Sequence, residues 1–101
     1  MNNYEVVISA MAFEDISSLA DFIESISTKE HAMRYADHLE AEIRSLSYLA
    51  DCMQYSRWPV ALRCHPLAKR LITRNRKWNI IFHTVEGFVI VDRIVPSSMM
   101  K

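Results

Sequence analysis

Five side chains in the second half of this 101-residue chain could do chemistry on an anion: Lys69, Arg70, Arg74, His83 and Arg93. Arginine and lysine neutralise phosphate or carboxylate charge, arginine in a bidentate fork. Histidine can take or give a proton near neutral pH. Strand alternation places Arg70 and Arg74 on one side and Lys69 on the other, so only a subset can share a site. His83 stands alone between apolar residues, where histidine more often serves structure than catalysis. His65, beside Pro66, and His31, in the first turn of a helix, are weaker candidates. Cys52 and Cys64 are too few for a disulfide framework, and their spacing matches no metal pattern. No metal or cofactor is expected, and the reading is a reduced, cytoplasmic protein.

A second group of residues suits partner binding. Arg57-Trp58-Pro59 pairs two residue types common at interface hot spots with a proline that stiffens the loop. Met99 and Met100 could adapt to an irregular apolar groove. Trp78, Phe82 and Phe88 sit at strand spacing and suit a core or a partner better than a stack of bases. The zero net charge hides a split. Residues 1–56 hold 10 acidic and 3 basic side chains, a net of −7, whereas residues 57–101 hold 2 and 9, a net of +7. The basic half, with Lys69, Arg76 and Lys77, offers a surface to an anion or an acidic protein.

These residues need elements to position them. Tyr4 to Ser9 alternates and is rich in β-branched residues, which predicts a strand. Ser9 stands where a helix N-cap would, and Phe13, Ile16, Leu19, Ala20, Ile23 and Ile26 then form one apolar helical face. Glu14 and Asp15 are expected in its first turn, favoured by the helix dipole. Ser27 and Glu30 fit a capping box that opens a second helix. Its stripe runs Ala32, Tyr35, Ala36, Leu39, Ile43, Leu46 and Ala50, with a Glu40–Arg44 pair on the solvent side.

Residues 51–66 are expected to be irregular because of Pro59 and Pro66. Three strands follow, over 67–74, 78–85 and 88–95, joined by turns at Asn75-Arg76 and at Glu86-Gly87. The expectation is one α+β domain over residues 1–101, β-α-α-β-β-β, with a two-helix hairpin packed on one face of a mainly antiparallel four-stranded sheet. No stretch approaches the roughly 20 apolar residues of a membrane span, and the first residues lack the pattern of a signal peptide.

The order Phe-Glu-Asp-Ile, Lys-Glu-His-Ala-x-x-Tyr, Lys-Arg-Leu-Ile, Trp-Asn-Ile-Ile-Phe and Val-Ile-Val-Asp-Arg-Ile-Val resembles the RelE/ParE superfamily of bacterial toxins over nearly the whole chain. The resemblance implies a cytoplasmic growth inhibitor, the toxin of a type II toxin–antitoxin pair, silenced by a cognate antitoxin protein. It implies one of two targets: the ribosome with its messenger RNA, cut by RelE-like members without a metal, or DNA gyrase, poisoned by ParE-like members. Arg70 and Arg93 stand where family members often keep arginines. As a nuclease, the chain would rely on Arg70, Arg74, His83 and Arg93.

Two departures favour the ParE-like reading. Trp78-Asn79-Ile80-Ile81-Phe82 replaces the usual Tyr-Arg-Ile-Ile-Tyr, and the tail Pro96-Ser97-Ser98-Met99-Met100-Lys101 offers no obvious acid or base. The near-neutral charge also counts mildly against ribosome binding. A third reading is an inactive member that serves only as a binding module.

Overall fold

The computed structural model describes residues 3–100; Met1, Asn2 and the basic Lys101 lie outside them. The described strands are β1 (Glu5–Ile8), β2 (Lys69–Ile72), β3 (Trp78–Val85) and β4 (Phe88–Pro96), in the sheet order β1-β4-β3-β2. β1 runs parallel to β4 and the other pairs are antiparallel. Helices α1 (Ala10–Ile26) and α2 (Lys29–Arg44) form the expected hairpin and cover one sheet face. A short helix α3 (Leu46–Leu49) and a 3₁₀ turn (Ala50–Cys52) follow α2.

The helix-side core shows why these sequences fold as they do. Leu19 and Ile23 of α1, Leu39 and Ile43 of α2, and Leu46 of α3 meet Ile80, Phe82, Val89, Val91 and Ile94 of the sheet. Burying each large apolar side chain contributes roughly 1.5–3 kcal/mol, which makes this layer the main source of stability. The expected α1 stripe is corrected at both ends. Ala12 is buried, whereas Phe13 and Ile26 are exposed, because the sheet underlies only the middle of that stripe. The α2 stripe is broken too: α2 stops at Arg44, and Leu46 and Ala50 reach the core from α3 and the 3₁₀ turn.

Ser9 caps α1 as expected, its Oγ accepting from Ala12 N at 3.1 Å. Because α1 begins at Ala10, Glu14 and Asp15 fall past its first turn, contrary to expectation. The α2 cap is Thr28 rather than Ser27, its Oγ1 accepting from His31 N at 3.1 Å. Ser27 instead meets the His31 ring, Oγ to Nδ1 2.9 Å. The expected Glu40–Arg44 pair is present at 2.8 Å. The Glu86-Gly87 turn has φ +46 and +86, the twin left-handed residues of a tight hairpin that Gly87 tolerates without strain.

Three further expectations are corrected. The segment 51–66 is not wholly irregular, since Pro59–Cys64 is a helix, α4, with Pro59 at its first turn, where no amide bond is lost. β4 is not a plain alternating strand: Ile81 pairs with Arg93 and Phe82 with Val91, so Asp92 is an extra, bulged residue. β2 also stops at Ile72, short of the expected Arg74.

Candidate functional site on the open sheet face

The face of the sheet away from the helix hairpin is covered only in part. α4 and the C-terminal 3₁₀ turn (Ser97–Met99) seal a small second core of Ala61, Ala68, Ile81, Val95 and Met100. The remainder of that face displays Val7, Val85 and Phe88, each 40% exposed or more. Arg70, Ile81, His83 and Arg93 project on this side by strand alternation, and the bulge brings Asp92 there as well.

Asp92 and His83 form the centre of the site. His83 Nδ1 lies 2.7 Å from Asp92 Oδ2, and both side chains are mostly buried. Nδ1–H donating to the carboxylate leaves Nε2 as the lone-pair nitrogen of the neutral ring. His65, just past α4, stacks on His83 with ring centroids 3.9 Å apart and planes within 2°. Leu67 N donates to His65 Nδ1 at 3.0 Å, so the neutral His65 ring carries its proton on Nε2. The sequence reading ranked His65 below His83. Its Pro66 neighbour pointed to a loop, and no local signal tells that the loop folds back onto β3.

Arg93 is held elsewhere. Its Nε and Nη2 donate to the two carboxylate oxygens of Asp15 at 2.8 and 3.0 Å, and Asp15 Oδ2 also accepts from Ile94 N at 2.9 Å. The bond from Asp15 raises the guanidinium above its already high range, so it stays charged and paired. Beside it is a cleft of ≈ 670 Å³ between α1, α4 and β4, with Arg63, Cys64 and Met99 on its walls. Burial pushes the Cys64 thiol up, and the nearby Asp92 adds to the rise, so it is a poor nucleophile.

The remaining predicted residues scatter. Arg70 is half-buried with its guanidinium 5.9 Å above the Trp58 ring, a cation–π contact that ties the exposed Trp58 to β2. Arg74 lies beyond β2 on the α2 side, its backbone N–H donating to Glu42 Oε1 at 2.7 Å, so it does not share a site with Arg70. Lys69, expected at a partner surface, is instead buried: its Nζ donates to Ala50 O at 3.1 Å and lies 5.1 Å from the Tyr55 ring centre. Met100, expected in the same role, is part of the second core, while Met99 is 63% exposed. Arg57, Arg76 and Lys77 are exposed. The carbonyls of Arg76 and Lys77 accept from Ser97 and so anchor the C-terminal turn. Of the three aromatics, Phe82 is core, Trp78 is half-buried with its indole N–H on Tyr35 Oη, and Phe88 is exposed.

No family model matches the sequence, and no curated protein does. Among solved structures, a chain of the "Chromosomal ParDE TA system from P. aeruginosa" superposes with a TM-score of 0.77 at 14% sequence identity. The match covers 92% of this chain and 95% of that one. The two chains share a fold. With so few identical residues, the likeness lies in the arrangement of the helix hairpin and the sheet. Among the described residues no group of His, Cys, Asp and Glu is placed to hold a metal ion, and no helix is long and apolar enough to cross a membrane.

Proposed function

We propose that this chain is the toxin of a type II toxin–antitoxin pair and that it acts in the ParE-like manner, on DNA gyrase. The observation that carries the toxin reading is the fold shared, over nearly the full length of both chains, with a component of a ParDE TA system. The lean toward gyrase rests on Arg93. An arginine held along its Nε–Nη2 edge by the Asp15 carboxylate has its charge already paired, which leaves it less suited to a scissile phosphate. The described tail residues, Pro96 to Met100, add no acid or base, and Met100 is packed into the second core.

The partner in this reading is a separate antitoxin. The α1–α2 layer carries 8 acidic and 3 basic side chains, so the cationic groups collect on the sheet side and in the loops. An acidic segment with apolar residues suits the open face, which exposes Val7, Val85 and Phe88 and carries Arg63 on the wall of the cleft beside α4.

One observation favours a ribosome-dependent nuclease as a second reading: His83 is oriented by Asp92 and stacked on His65, as a general base would require. Induced expression in a bacterial host separates the readings when growth, messenger-RNA integrity and DNA-damage signalling are followed together. Arrest with intact RNA and a DNA-damage response is the expected result. Arrest with RNA cut in translated codons, abolished by His83→Ala, would establish the nuclease instead. Absence of arrest would leave a binding module.

A further inference from the structure

We propose that two copies of this chain pair edge to edge through β1, joining their sheets antiparallel about a two-fold axis. β1 forms one margin of the sheet, with β4 as its strand neighbour. Glu5 N donates to Gly87 O and Ser9 N to Val91 O, each at 3.0 Å. Residues 5, 7 and 9 therefore direct their backbone groups to β4, and the N–H and C=O of Val6 and Ile8 point outward. One step earlier the margin is closed, because Tyr4 N donates to Ser47 O at 2.7 Å.

The core is unfinished at the same place. Val6 and Ile8 face the helix layer yet are only half-buried, while their β4 partners Val89 and Val91 are fully buried. Glu5–Ile8 holds no proline, lysine or bulge, and only its four-residue length and the Glu5 charge guard the margin.

The strand is complementary to itself, which favours a second copy as the occupant. An axis through Val7 sets Val6 of each copy opposite Ile8 of the other and engages every outward backbone group of both residues. Val7 then meets Val7 as the close, non-hydrogen-bonded pair on the open face, where it is now 41% exposed. Glu5 falls opposite Ser9, so no like charges meet. An axis through Glu5 would instead set carboxylate against carboxylate. A four-residue margin buries less area than a permanent dimer needs, so the association is concentration-dependent.

The test is analytical ultracentrifugation of the purified chain over a wide concentration range, with single-cysteine cross-linking in a background that carries both Cys52→Ser and Cys64→Ser. The mass should climb from 11.8 kDa toward twice that value. Val7→Cys should form a disulfide-linked dimer under mild oxidation, because the facing Cβ atoms would lie about 4.5–5.5 Å apart. Phe88→Cys, exposed on the same face but one strand inward, should not. Val7→Lys should stay monomeric with an unchanged circular dichroism spectrum and melting temperature. A chain that stays monomeric throughout, or cross-linking of Phe88→Cys as ready as that of Val7→Cys, would overturn the proposal. So would amide exchange at Val6 and Ile8 that fails to slow as concentration rises.

Discussion

The two faces of one sheet are finished in different ways. The helix side is closed by two long amphipathic helices over a continuous apolar core. The opposite side is closed by six residues of α4 and a C-terminal turn, and elsewhere it carries paired ions, stacked rings and exposed apolar residues. Stability is concentrated on the first face and chemical variety on the second. Buried polar pairs stabilise little compared with burial of the same area of hydrocarbon. The second face can therefore change its side chains at small cost to the fold.

Three substitutions or treatments sharpen or break this contrast. Phe82→Ala, at the centre of the helix-side core, should destabilise by about 3–5 kcal/mol in denaturant titration. A loss under 1 kcal/mol would mean that the helix side does not dominate. Asp15→Asn removes the carboxylate that grips Arg93 and weakens the acceptor for Ile94 N, and should cost about 1–3 kcal/mol. An equal loss from Asp15→Asn and Phe82→Ala would erase the distinction between the faces. The smallest effect concerns the thiols. At mildly alkaline pH iodoacetamide should modify exposed Cys52 well before Cys64, whose thiolate is disfavoured by burial and by Asp92. Mass spectrometry of the partly labelled chain reads the order, and faster labelling of Cys64 would show that α4 opens readily.

The same contrast explains what could be read from the sequence. Periodicity found β1, both hairpin helices, β3 and the Glu86-Gly87 turn, because each follows a local rule of spacing or backbone freedom. It failed where the cause lay outside the segment. Phe13 belongs to the apolar pattern of α1 but has no sheet beneath it. Lys69 is buried because Ala50 offers its carbonyl across nineteen residues of chain. Pro59 was legible as a helix breaker, but a proline in the first helical turn begins a helix equally well. At the candidate site, His83 and Arg93 were found by residue type. Their partners were not, because Asp92 reaches His83 through a bulge and Asp15 meets Arg93 across 78 residues.

The bulge at Asp92 shifts the phase of β4. Before it, the odd-numbered Val89 and Val91 are core; beyond it the even-numbered Ile94 is core and the odd-numbered Val95 belongs to the other side. A one-residue deletion at this point would keep Val89, Val91 and Ile94 on the helix side while removing one polar side chain from the open face. Length variation of a single residue in a strand is thus a route by which relatives on this scaffold could trade one surface chemistry for another while their interiors stay alike.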